Sequence, residues 1–128
     1  MSEAIKGAHF GQLKARYPDA TKQVLPSGSS LIVIPRVPLP VGWNGPTTLV
    51  RFIEQAQYPF AAPDCFWADE ELRLANGQNP QSSAAQVIPE TQLNGLWFSW
   101  HVGDRWNPNT DNHLTWMGCI AERLRKPQ

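Results

Sequence analysis

Cysteine is scarce. Cys65 and Cys119 are the only two, too few for a disulfide scaffold and without the paired spacing of a zinc site, which fits a reducing cytoplasm. Excess charge of either sign is missing as well. Lys+Arg and Asp+Glu number 11 each, and with no dense basic run the chain lacks the electrostatic footprint of a nucleic-acid binder. No apolar stretch approaches the length of a membrane span, and Met1 to Ala20 intersperses charges where a secretion signal would carry a basic cap and an apolar block. A cytoplasmic protein with no membrane or nucleic-acid partner is expected. Proline, by contrast, is abundant. Most of the 12 prolines crowd between Pro26 and Pro63 and forbid long helices there, so the first half must be strands and turns. With 128 residues, 41% of them hydrophobic, the chain can bury one core, and 1–128 reads as a single domain.

Along the chain, Ser2 to Tyr17 can form a short helix with Ile5, Phe10 and Leu13 as its apolar members, stopped by Pro18. Leu31-Ile32-Val33-Ile34 follows the Pro26-Ser27-Gly28 turn and is rich in β-branched residues, the pattern of a strand. Asn44-Gly45 and Gly45-Pro46 mark a turn before a second extended run, Thr47 to Glu54, which should pair antiparallel with the first. Neither of its faces is purely polar, so both should be partly covered. Cys65-Phe66-Trp67 is a third run. Residues 76–93, rich in Asn, Gln, Ser, Pro and Ala, read as a long loop. The aromatic run Leu96 to His101 re-enters the core. Thr110 or Asp111 can cap a last helix whose apolar positions are Leu114, Met117, Ile120, Ala121 and Leu124. Helix, three or so antiparallel strands, long loop, aromatic segment and helix make an α+β layout.

The punctuation is specific. Tyr58-Pro59 followed by Pro63-Asp64 introduces the third strand, and Asn94-Gly95 and Trp106-Asn107-Pro108 bracket the aromatic run. Together with Leu39-Pro40-Val41-Gly42-Trp43-Asn44, Ser99-Trp100-His101 and Asp111, these pieces resemble the ubiquitin-conjugating-enzyme (UBC) superfamily, and within it prokaryotic UBC-like family E of bacterial ubiquitin-like conjugation operons. The resemblance runs from about Leu31 to Leu124. It implies a UBC-like fold, an antiparallel meander flanked by an N-terminal and a C-terminal helix. It also implies a conjugating transferase that takes a ubiquitin-like protein from an adenylating activating enzyme and passes it to a protein target, without a cofactor at this step. An operon-encoded JAB-type metalloprotease and a role in antiphage defence belong to the same implication. Three departures stand out: no cysteine lies between the bracketing motifs, no His-Pro-Asn triplet precedes the site, and the first helix is short.

Where such enzymes usually carry cysteine, this chain has Ser99. A hydroxyl is a poor nucleophile unless a base takes its proton, and in an extended stretch His101 would lie on the same side. Ser99 and His101 are therefore the candidate catalytic pair, forming an oxyester. Asp111, if it is not simply a helix cap, would orient His101 or an incoming amine. The alternative is that Ser99 is a small residue fitted among Trp97, Phe98 and Trp100, and that the chain is a non-catalytic UBC-like module that recruits the ubiquitin-like protein or the activating enzyme. Cys119, on the helix side opposite the apolar stripe, is expected to be exposed and without oxyanion donors; Cys65 reads as a small core residue. His113 reads as a solvated first-turn residue, and Asp69, Glu70 and Glu71 as a solvated acidic turn. The six tryptophans, scattered over separate elements, read as core.

Overall fold

The structure, a computed structural model, describes residues 2–102 and 105–128. Its elements are α1 (Ser2–Arg16), β1 (Thr21–Val24), β2 (Ser30–Pro38), β3 (Thr47–Glu54), β4 (Asp64–Ala68), β5 (Ser83–Val87), β6 (Asn94–His101) and α2 (His113–Leu124). All neighbouring strands pair antiparallel in one sheet of order β1-β2-β3-β4-β6-β5. No helix among the described residues is long and apolar enough to cross a membrane.

Two of these strands depart from the sequence expectation. β1 is short and largely exposed, and β5 lies inside residues 76–93, which read as loop. Both are edge strands built from residues with little to bury. What makes them strands is a ladder to one neighbour: Ser83 to Val87 pair residue for residue with Phe98 to Asn94. Edge strands of this kind depend on a backbone template that exists only once the neighbouring strand, β2 for β1 and β6 for β5, is in place.

The alternation of each central strand divides the sheet into two faces. Ile32, Ile34, Val50, Phe52, Phe66, Ala68, Leu96 and Phe98 face the helices and join Leu13 of α1 with Trp116, Met117, Ile120 and Leu124 of α2 in the main core. Leu31, Trp67, Leu25 and Ile88 form a smaller cluster on the other face, with Val33, Ile53 and Trp97 half-buried beside them. β3 is thus covered on both faces, as expected of a strand with no purely polar face. Trp43, Trp67 and Trp116 are buried, while Trp97, Trp100 and Trp106 are half-buried.

The two edges of the sheet meet at one end. Ser27, in the turn after β1, donates its N–H and Oγ–H to the Glu90 carboxylate at 2.8 and 2.7 Å, and Glu90 lies in the turn after β5. The segment around Trp43 docks the far end of α2. Trp43 Nε1 donates to Leu124 O at 2.8 Å, and Gly42, at φ 121°, lies against Pro127. A Cβ on Gly42 would sit 2.4 Å from Pro127 Cγ, so glycine is required by both backbone and space. Gly42→Ala should therefore lower the unfolding free energy by roughly 1–3 kcal/mol. Gly45→Ala, whose Cβ would meet nothing nearer than 3.8 Å, should change it far less; urea unfolding of the two variants checks this.

Candidate functional site

β6 carries Ser99 and His101 toward the start of α2. Counted from the pair Phe66↔Phe98, a regular antiparallel register would set Asp64 opposite Trp100, but Asp64 is opposite His101. One extra residue is therefore accommodated on β6 between Phe98 and His101, a β-bulge. On β4 the matching position is Cys65, at φ 58°. Non-glycine residues avoid this conformation, which costs on the order of 1–3 kcal/mol.

Ser99 is half-buried, and its N–H donates to Ser82 O at 2.9 Å, so the β5 edge continues through it. Its own N–H is thereby unavailable as an oxyanion donor. Among the described residues no hydrogen bond joins the Ser99 and His101 side chains; the bulge falls between them. His101 Nδ1 is hydrogen-bonded to Asp64 Oδ1, an exposed pair at 60% and 57%.

Asp111 does not serve His101. Its carboxylate accepts from Asn107 N at 2.7 Å and from Thr115 Oγ1 at 3.4 Å, bracing the 107–111 turn. Nor is it the helix cap, and neither is Thr110. Asn112 takes that place: its Oδ1 accepts from Leu114 N and Thr115 N at 2.9 and 3.1 Å, and Thr115 Oγ1 accepts from Asn112 N at 3.1 Å, a complete capping box. Asp111 is excluded because its carboxylate is already engaged by the turn. The Asn112-x-x-Thr115 spacing is the sequence signal for the cap.

His101 and Asp111 nevertheless share a cleft of about 300 Å³, between the end of β6 and α2. Trp100 and Val102 wall it, Arg105 and Glu122 add charge, and Thr115 and Cys119 lie along its helix side. Ser99 is adjacent in sequence but does not line it. Cys119, expected to be exposed, is half-buried against the main core. Burial raises its thiol pKa, with Asp111 and Glu122 adding to the rise and Arg105 opposing it, so the thiol is held protonated. Cys65, half-buried on the sheet's other face, is raised chiefly by burial too. Asp69, Glu70 and Glu71 are exposed as expected, although Asp69 also accepts from Leu49 N at 3.0 Å. Asp104 lies outside the described residues.

His113 is the largest correction. It is not solvated but 0% exposed, stacked on Tyr58 at 4.5 Å and 10° between ring planes, and 3.8 Å from the Glu54 carboxylate. Glu54 shares the helix-side face with Val50 and Phe52, is itself buried, and pairs with Lys22 of β1 at 2.9 Å. His9 of α1 is hydrogen-bonded through Nδ1 to Tyr58 Oη at 2.7 Å. Helix, strand, turn and helix thus meet in one buried polar cluster, about which a single-residue reading of His113 is silent.

Burial pushes the His113 pKa down to about 4; the main chain of His9 works against that fall, while the charges of His9 and Lys22 add to it. The unfolded chain takes up this proton near pH 6.5, before the folded one does. Stability from His113 is thus fully present above about pH 6.5 and lost as pH falls toward 4, on the order of 3 kcal/mol in all. His113→Phe should flatten that acid limb, measured by denaturant unfolding across the range.

An N-terminal helix, an antiparallel sheet and a closing helix are consistent with the arrangement of a ubiquitin-conjugating-type fold. The sequence model of prokaryotic E2 family E matches residues 15–127, and the chain belongs to that family. Membership implies, in general terms, a ubiquitin-like protein and an activating enzyme as partners. No curated protein and no solved structure gives a significant match.

Proposed function

We propose that the protein is a conjugating carrier: it accepts the C-terminus of a ubiquitin-like protein from an activating enzyme as an oxyester on Ser99, and transfers it to an amine of a target. The observation that carries this reading is the end of β6. There a bulge interrupts the ladder between Phe98 and His101, with Ser99 two residues before an exposed imidazole on the rim of a cleft. Bulges beside reacting groups re-aim side chains that a regular strand would set. Loading forms a bond from Ser99 Oγ to the acyl carbon and breaks the bond to the activating enzyme's thiolate. The hydroxyl proton passes through His101 to that thiolate. Arg105, which lines the cleft together with His101, is a cation on that side of the site for the developing oxyanion. The bacterial cytoplasm, an operon with a JAB-type protease, and antiphage defence are the setting that the family resemblance supports.

One observation favours a second reading. The Ser99 N–H is tied to Ser82, so Ser99 sits in a strand rather than on a free turn, which suits a non-catalytic module that only recruits the ubiquitin-like protein or the activating enzyme.

Mixing the protein with activating enzyme, ATP and ubiquitin-like partner should give a covalent adduct on a denaturing gel. The adduct should be cleaved by hydroxylamine, resist mild thiol, disappear in Ser99→Ala and persist in Cys119→Ser. No adduct while the activating enzyme is demonstrably charged would leave the recruiting module; loss only in the cysteine variant would transfer the role to Cys119.

A further inference from the structure

We infer that Asp64 is the positioning residue of this site, holding His101 in the tautomer whose Nε2 is a free base, and that the bulge between β4 and β6 exists to bring the two side chains opposite each other. Its chemical use rests on the carrier reading of Ser99; its geometry does not.

The register is decisive. Ala68↔Leu96, Trp67↔Trp97 and Phe66↔Phe98 are consecutive antiparallel pairs, and continuing them would set Asp64 against Trp100. Directly opposed residues project from the same face. Asp64 shares its parity with Phe66 and Ala68, both buried on the helix side, and Trp100 packs on that same core. An uninterrupted ladder would therefore aim a carboxylate at the edge of the apolar core beside an indole, where a charge is costly. The extra residue on β6, with Cys65 turned to φ 58°, instead puts Asp64 opposite His101, with both side chains more than half exposed.

Stability does not account for this arrangement. An exposed ion pair contributes little, whereas a non-glycine residue at positive φ is disfavoured, so the strain at Cys65 is not offset by the contact it permits. The contact does define the imidazole. A carboxylate can only accept, so the hydrogen of the neutral ring is on Nδ1, and Nε2 keeps its lone pair. Among the described residues Nε2 has no partner. It can take the Ser99 proton as the oxygen–carbon bond forms and the carbon–sulfur bond breaks, with the proton going on to the departing thiolate. In transfer, the amine nitrogen bonds to the acyl carbon as the carbon–oxygen bond breaks, and the amine proton returns through Nε2 to Ser99 Oγ. Asp64 holds the ring in place, the orienting role a carboxylate has in hydrolase triads, here from an exposed position where solvent screens its charge. Asp111 cannot substitute, because its carboxylate is engaged by Asn107 and Thr115.

The test has a spectroscopic arm and a kinetic one. In mildly alkaline buffer, long-range 1H–15N spectra of histidine-labelled protein should show His101 protonated at Nδ1, and Asp64→Ala should move that proton to Nε2. Asp64→Glu should restore part of the wild-type signature. With activating enzyme, ATP and ubiquitin-like partner, Asp64→Ala should load Ser99 about ten-fold or more slowly than wild type, while charging of the activating enzyme is unchanged. An Nε2–H tautomer in the wild type, or one unaltered in Asp64→Ala, overturns the inference whether or not an adduct forms. A shifted tautomer with loading unchanged overturns the use in catalysis. A shifted tautomer with no adduct even in wild type supports Asp64's hold on His101 and refutes the carrier reading alone.

Discussion

Phe66 and Phe98 lie ring on ring at 4.8 Å and 3° in the middle of the sheet, and the pairing of β4 with β6 that brings them together is the constraint on which core and candidate site both depend. The two strands are not successive, since β5 intervenes in sequence and is displaced to the sheet edge. Once they pair, Phe66, Ala68, Leu96 and Phe98 close the sheet beneath α2, while Trp67 and Trp97 are turned to the opposite face. The same ladder, shifted by one residue at its end, sets Asp64 opposite His101. Packing at one end of the pairing and chemistry at the other are thus consequences of a single register.

Polar groups beneath the helices are the second organising element. The inward face of α2 includes His113 and Arg123 alongside Trp116, Met117, Ile120 and Leu124. Arg123, only 4% exposed, donates to the main-chain oxygens of Gln81, Lys126 and Gln128 and lies 5.0 Å from the centre of the Phe98 ring. Its buried stem and satisfied head make it an interior residue despite its charge. Lys6 likewise reaches from α1 to Ala56 O at 2.8 Å, tying the first helix to the turn after β3. Backbone oxygens answer Lys6 and Arg123, whereas neither ring nitrogen of His113 has a hydrogen-bond partner among the described residues, a cost that its stacking on Tyr58 accompanies but does not remove.

Much of the candidate site is legible in the sequence alone. The aromatic run ending in Ser99-Trp100-His101, the Pro63-Asp64 pair and Asp111 all stand out as motifs, and Cys119 can be set aside as a mid-helix residue. What the sequence does not disclose is which carboxylate serves His101. Asp111 is nearer along the chain, but Asp64 wins because register, not sequence separation, decides which side chains meet across a sheet. His113 misleads in sequence because its neighbours Glu54, Tyr58 and His9 come from a strand, a turn and another helix, and no local pattern announces such a meeting.

By itself the sequence determined the two helices, the central strands β2, β3, β4 and β6, the family to which the chain belongs, and the residues from which a site could be built. These follow from local causes: proline and glycine punctuation, apolar periodicity, and side-chain chemistry at particular spacings. Only the tertiary structure decided that the polar segment around Ser83 to Val87 becomes an edge strand, that His113 and Arg123 turn inward, and that Asp64 faces His101. Each of those outcomes depends on partners distant in sequence or on a one-residue bulge, and neither is encoded in any short stretch of the chain.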